Sequence, residues 1–361
     1  MTLSSPDSLF RKTSFIAILY IVASMYVFGV WVWSADSPTT AFNSDLRSTL
    51  SELIYGTAHK PYVQRVLVPM LTRAVYFTVS GPTLDSLEQK VLELPKVQKE
   101  TARLGWEIEY FAEYLIALSF AFLALFGFPF VMKNLWSTLY ETEQAITNII
   151  PILALLALPP VFLTGPHYIY DLPALFFFTL GMVMMIHGRW TFYYPVFILG
   201  CLNKETMVLL SLFFVLLYWK RMPRKSLLLH ALTQGVIFAV IKAVITYSFV
   251  GNGGAVMDFH LFLNLHILLM GYDWTTLVGW TLVLTLVFLD FRKKHEILRK
   301  AILLAIPLGV LVLLSGVITE LRAAYEMYPI VLLLALHTVL FRFVKIPYHL
   351  KQQPLLAAKQ P

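Results

Sequence analysis

The sequence predicts an all-α protein: a polytopic transmembrane helical bundle of about ten crossings, with an amphipathic helix at its outer face. Three observations lead there. Of 361 residues, 58% are hydrophobic and only 14% are charged, whereas soluble domains carry about a quarter charged residues. Mean hydropathy is +0.71. Apolar runs of bilayer-spanning length recur along the whole chain. A soluble fold of this composition would leave too much apolar surface in water.

Residues 1–13 are polar and place Arg11 and Lys12 just before the first apolar run. Residues 14–34 are apolar and aromatic, ending Trp31-Val32-Trp33. The run is longer than a signal-peptide core and lacks its small-residue end, so it reads as an uncleaved helix with a cytoplasmic N-terminus. Residues 35–106 form a long extracytoplasmic loop. Within it Val63, Val66, Leu67, Met70, Leu71 and Val75 recur at helical spacing, which predicts an amphipathic surface helix from Tyr62 to Thr78. Residues 82–103 carry charges of both signs and read as a solvated helix or loop.

Residues 107–132 span back, and 145–164 span outward to Pro159-Pro160, which kinks or ends that helix. A turn at 165–173 leads into a helix over 172–187. Residues 192–202 and 207–219 are each shorter than the ~20 residues of a straight span, yet both have basic flanks, Arg189 and Lys220 among them. This predicts a helical hairpin over 192–219 with Asn203-Lys204-Glu205-Thr206 at its tip. Residues 226–250 span with Lys242 inside, and 251–273 form a second outer loop holding an apolar piece at 261–270. Segments 274–290, 301–318 and 330–344 complete the crossings. The chain thus reads as one integral membrane domain, 1–361, with both termini cytoplasmic.

Charge placement agrees with this topology. Of 28 Lys and Arg, 17 fall on the assigned cytoplasmic side, ten outside and one, Lys242, within an apolar run. Eight of the outer ten lie in the long first loop, where the positive-inside rule is weakest. Lys204 and Arg322 stand against that rule. The net charge of +7 is what positive-inside bias produces. No basic patch with a fold to present it argues for nucleic acid. The single cysteine, Cys201, excludes an intrachain disulfide and a multi-Cys metal site.

Four polar patches share the predicted outer face: Asp36 and Asp45 with Gln64-Arg65, His167 to Asp171, Asn203 to Thr206, and Glu320 to Tyr328. Asp36 and Asp45 are the catalytic candidates, because a carboxylate acts as a general base or contacts a metal. Gln64, Arg65, His167, Tyr170, Asp171, Asn203, Lys204, Glu205, Glu320, Arg322 and Tyr325 are the substrate- and phosphate-binding candidates. Arg grips phosphate bidentately and Lys as a point charge. Blander roles stand beside these: Arg65 facing lipid headgroups, Asp171 capping the helix at Leu172, Lys204 and Glu205 pairing with each other, Lys242 neutralising a buried carboxylate. His187, His260 and His266 read as interfacial or satisfied. No cofactor motif, P-loop, Rossmann fingerprint, nucleophile elbow or HExxH is present; a divalent cation on Asp36 or Asp45 is the one metal option. A site at the membrane surface suits a substrate with an anionic head and a lipid tail, such as a polyprenyl-phosphate-linked sugar.

The motifs Gln64-Arg65-Val66-Leu67-Val68-Pro69, Tyr170-Asp171-Leu172-Pro173, Asn203-Lys204-Glu205-Thr206, and Glu320-Leu321-Arg322 with Tyr328-Pro329 resemble a group of bacterial polytopic membrane proteins. That group is similar to the GT-C superfamily of lipid-linked-sugar glycosyltransferases. The resemblance runs from the first helix to the last. It implies sugar transfer from a polyprenyl-phosphate donor at the outer face of a bacterial inner membrane, with an acidic residue of the first outer loop as base or metal contact. Asp36 matches that residue best and Asp45 next, while the paired-acid motif of many such enzymes is absent. Two readings from other classes stand beside it: a transporter or flippase for a lipid-linked or anionic solute, and a non-catalytic scaffold of envelope assembly.

Overall fold

The computed structural model describes residues 6–36, 42–163, 165–272 and 274–351. Its helices, in chain order, are α1 (Pro6–Trp33), α2 (Leu50–Tyr55), α3 (Leu67–Val79), α4 (Pro82–Leu92), α5 (Pro95–Arg103) and α6 (Phe111–Leu139). Then come α7 (Gln144–Leu156), α8 (Pro159–Phe162), α9 (Asp171–Ile186), α10 (Trp190–Asn203), α11 (Leu209–Tyr218) and α12 (Arg224–Ser248). The last are α13 (Leu261–Met270), α14 (Trp274–Phe288), α15 (Glu296–Ala301), α16 (Ala305–Ser315) and α17 (Tyr328–His337). A two-stranded antiparallel ribbon pairs β1 (Tyr140–Glu141) with β2 (His349–Leu350).

The protein is all-α in substance. Six helical stretches are long and apolar enough to cross a bilayer: Ser14–Trp33, Ile108–Leu139, Gln144–Phe162, Arg224–Ser248, Glu296–Ser315 and Leu321–Phe343. Their length and composition mark the chain as a multi-pass membrane protein. The pair α13 and α14 meets the same test when taken together across its bend.

Helix α6 is the hub. It packs against α1, α3, α7 and α9, and buries Phe128, Met132, Leu135 and Trp136 completely. Glycine lets helices close up: a Cβ on Gly181 of α9 would lie 2.5 Å from Leu210 Cδ1 of α11, the small-residue packing common between membrane helices. Helices α10 and α11 fold back on each other as a hairpin. Its feet meet where Trp190 of α10 packs on Phe214 and Tyr218 of α11, at centroid distances of 5.6 and 5.5 Å. Its tip is tight because Gly200 has no side chain; a Cβ there would lie 2.9 Å from Met207 Cγ.

Two elements differ from the sequence expectation. The amphipathic helix begins at Leu67, not Tyr62. Residues Tyr62–Gln64 form a separate 3-10 turn, Arg65 leaves helical geometry at φ −99°, ψ 75°, and the Val66 N–H goes to the Leu202 carbonyl at 2.9 Å. Pro69 then sits in the first turn of α3, where its missing N–H costs nothing. The segment after α12 also contains a packed helix: Asn264 of α13 donates to the Val312, Leu313 and Gly316 carbonyls and accepts from the Ile318 N–H, closing the end of α16.

The opposite end of the bundle gathers the basic segments. Lys294 is buried and donates to the Leu286, Val287 and Leu334 carbonyls at 2.6, 2.6 and 2.8 Å. Arg221 pairs with Glu296, and Arg342 with Asp290. His187 meets Thr138 there.

Candidate functional site

Segments far apart in sequence converge on one cleft of about 250 Å³. Asp45, Arg47, Tyr62 and Arg65 come from the first long loop, and Pro166 and Tyr168 from the turn before α9. Lys204, Glu205 and Thr206 come from the hairpin tip, Asp258 and His260 from the loop before α13, and Glu320 and Arg322 from the stretch before α17. The backbone ties the first and third motifs directly, through Val66 to Leu202. Asn203 ties the second and third, its side-chain amide donating to the Tyr170 carbonyl at 2.9 Å. The Leu202 carbonyl lies in the last turn of α10, where carbonyls lack an intrahelical partner, and the Tyr170 carbonyl accepts from the Ala174 N–H of α9 as well as from Asn203.

The floor is aromatic. Tyr168 stacks on Tyr170 at 5.1 Å between centroids and on Tyr62 at 5.5 Å. Guanidinium groups lie on this stack: Arg65 at 4.4 Å from the Tyr170 centroid, Arg322 at 4.5 Å from Tyr168 and Arg47 at 5.7 Å from Tyr62. A cation held against a ring face gains from the ring quadrupole, more so where water is scarce.

Each of the four cations facing the cleft meets a carboxylate. Arg65 Nη2 lies 3.0 Å from Glu205 Oε1, and its other Nη donates to the Tyr170 hydroxyl. Arg322 Nη2 lies 2.5 Å from Glu320 Oε2, and its Nη1 lies 3.7 Å from Asp171. Lys204 Nζ lies 3.3 Å from Glu326 Oε1, and the Thr206 hydroxyl donates to the same carboxylate. Arg47 grips Asp45 at 2.9 Å and reaches Asp258 at 3.7 Å. Burial pushes the Asp45 carboxyl up, but hydrogen bonds from the Arg47 side chain and backbone, with its charge, outweigh that and bring the pKa below its ordinary 3.8.

The sequence candidates divide as follows. Asp45, Arg65, Lys204, Glu205, Glu320 and Arg322 line the cleft. Gln64, Tyr170, Asp171, Asn203 and Tyr325 are buried behind it. Asp171 begins α9 but makes no cap; it accepts from the Tyr168 N–H at 3.3 Å and faces Arg322. Arg65 faces Glu205 and not lipid, because it precedes α3 and lies off its surface. Lys204 and Glu205 do not pair with each other: Lys204 turns inward to Glu326 and Glu205 to Arg65. Lys242 donates to Gln64 Oε1 at 3.4 Å. His167 lies apart from the cleft lining, against Trp31, Phe42 and Phe162, with Ser34 Oγ at 3.1 Å. The backbone of Asp36 ends the turn Ser34–Asp36; its side chain lies outside the described part of the structure.

Sequence reasoning held Tyr168 and Glu326 inside its patches without singling them out, and missed Arg47, Tyr62, Asp258 and His260. A signal existed for Glu326, a carboxylate in an otherwise apolar span. None existed for Asp258 and His260, which a surface loop carries to the cleft. His260 is therefore a cleft residue and not merely an interfacial one. Among the described residues no three His, Cys, Asp or Glu gather in a metal-binding group. Asn203 Oδ1, Asp171 Oδ1, Glu326 Oε2 and the Tyr325 hydroxyl have no protein hydrogen-bond partner among the described residues.

The fold and cleft define a class: a multi-pass membrane protein with a charge-paired, tyrosine-floored cleft at one end of its bundle. Comparison with protein-family models, curated proteins and solved structures finds no match to this chain.

Proposed function

We propose that the protein is a GT-C-like membrane glycosyltransferase that moves a sugar from a polyprenyl-phosphate donor to an acceptor at the extracytoplasmic face. One observation carries the reading: the four motifs, spread from Gln64 to Arg322, meet in a single cleft that offers arginine forks beside a tyrosine stack. Arginine forks suit a phosphate, and aromatic faces suit a sugar ring. The extracytoplasmic reading of the cleft is supported by Arg221, Lys293, Lys294 and Arg342, which pair or pack at the opposite end of the bundle. Ten crossings follow if α9, α10 and α11 join the six long stretches and the α13–α14 pair. A bacterial inner membrane with both termini inside fits that count and charge pattern.

The reaction is a single displacement. An acceptor hydroxyl oxygen bonds to the anomeric carbon while a cleft carboxylate takes its proton. The bond from that carbon to the phosphate oxygen breaks, and its electron pair leaves on the lipid phosphate. Arg65 and Arg322 meet the charge that develops there, with Lys204 behind them. Asp36 and Asp45 remain the first-loop acids of the scheme. Asp45 is held ionised by Arg47, so its own part is to fix Arg47 over Tyr62 rather than to accept a proton at neutral pH.

The test is turnover in liposomes holding the purified protein, a polyprenyl-phosphate sugar and candidate acceptors. A new covalent product that disappears in Arg65→Gln and Arg322→Gln supports the transferase. Movement of unchanged lipid-linked sugar across the bilayer would assign a flippase instead, and neither outcome would leave a scaffold.

A further inference from the structure

Four cations and four carboxylates face the cleft: Arg47, Arg65, Lys204 and Arg322 against Asp45, Glu205, Asp258 and Glu320. A cleft so balanced offers no spare positive charge to an incoming anion. An anion that binds must replace a carboxylate, and the pairs differ in how firmly they are tied.

Lys204 and Glu326 are fixed. Glu326 is fully buried and also accepts from Thr206. Asp45 is fixed too, since it accepts from Arg47 Nε, Nη2 and the backbone N–H. Glu205 and Glu320 are different. The side-chain contacts described for them are to Arg65 and Arg322 respectively, and Glu205 is 34% exposed against 24% for Asp45.

The two arginines do not depend on these glutamates for position. Arg65 keeps the Tyr170 hydroxyl and ring face, and Arg322 keeps Asp171 and the Tyr168 ring face. Remove either glutamate side chain and the fork still points into the cleft. A carboxylate and a phosphate present the same paired oxygens to such a fork.

We infer that Glu205 and Glu320 are built-in stand-ins for a phosphate group, occupying the forks of Arg65 and Arg322 until substrate displaces them. The inference rests on the reading of the cleft as a lipid-phosphate site. It assigns the two glutamates a specificity role: an anion is admitted only if it holds the fork better than a tethered carboxylate does. Once displaced, each glutamate is a free carboxylate at the edge of the occupied cleft. On product release it re-pairs and closes the fork behind the leaving phosphate.

The test is equilibrium binding to the purified full chain in detergent, with polyprenyl phosphate, inorganic phosphate and the uncharged polyprenol as separate probes. Glu205→Gln and Glu320→Gln keep shape but lose the competing charge. Each should bind polyprenyl phosphate about fivefold tighter, the factor expected from losing one partly exposed ion pair. Arg65→Gln should bind it at least about tenfold more weakly. Polyprenol should be indifferent to all three. Equal tightening for inorganic phosphate would keep the stand-in role and show that the headgroup alone is recognised. Unchanged or weaker binding in both glutamine variants, with melting temperatures at the wild-type value, would overturn the inference. Tighter binding without any product from the wild type would sink the transferase reading alone. Product without tightening would sink the stand-in role alone.

Discussion

Replacing Lys204 by Met should be among the most damaging single changes in the hairpin. Lys204 is 6% exposed and Glu326 is wholly buried, with 3.3 Å between Nζ and Oε1. Glu326 retains the Thr206 hydroxyl after the change, but a hydroxyl does not neutralise a buried carboxylate. Breaking one side of such a pair costs about 3–5 kcal/mol, whereas replacing both sides by apolar groups is often close to neutral. Lys204→Met with Glu326→Leu should therefore recover most of the loss, giving a coupling energy of about 3 kcal/mol or more. The assay is a double-mutant cycle by equilibrium unfolding in mixed micelles. A Lys204→Met cost within about 1 kcal/mol, as for an exposed pair, or simple additivity in the cycle, would refute the buried-pair argument.

Four further outcomes can be checked with the same material. Lys294→Met removes three hydrogen bonds to backbone carbonyls, two of them buried, and should cost about 3 kcal/mol in the unfolding assay. Asp45→Asn should be less stable than wild type at neutral pH. Because the folded carboxyl lies below its ordinary 3.8, the difference should be full above that value and shrink as the pH falls through the folded pKa; melting curves from pH 7 downward read it. Gly200→Val forces a side chain onto Met207, whose Cγ would lie 2.9 Å from the new Cβ, and should destabilise the hairpin by about 1–3 kcal/mol. Val256, 52% exposed in the loop beside the cleft, gives the topology: Val256→Cys with Cys201→Ser should react with an impermeant maleimide on intact cells, and labelling only after permeabilisation would invert the cleft.

Much of the fold was legible because spans announce themselves by length and composition. The hairpin was legible from a mismatch: two half-segments too short to span, with basic residues at both ends. Its partners were not. The sequence placed Lys204 beside Glu205 and allowed them to pair, but Lys204 is extended at φ −157°, ψ 139°, which sends neighbouring side chains to opposite sides. Periodicity likewise ran the surface helix back to Tyr62, since Val63 and Val66 fit its apolar face. The break at Arg65 comes from a tertiary bond, Val66 to Leu202, which no local pattern carries. That bond is also what moves Arg65 from the lipid surface to the cleft. His167 shows the reverse error: a histidine in the right turn, yet packed into an aromatic cage.

The short hairpin also explains why the charged residues form a cleft and not a flat polar surface. Helix α10 has 14 residues, so it rises about 21 Å, well short of a hydrocarbon core of about 30 Å. If its basic feet mark one interface, its tip ends several ångströms below the other. Charges at that depth need either water or partners. The surrounding segments provide the partners: Arg65 precedes α3, Glu326 precedes α17, and α12 packs on the 3-10 turn at the tip. The loops above then supply Tyr62, Tyr168, Glu320 and Arg322 from the sides. Lengthening α10 by one full turn would raise Lys204 and Glu205 by about 5.4 Å and separate them from Glu326 and Arg65. The recess and the ion pairs within it therefore depend on the length of α10.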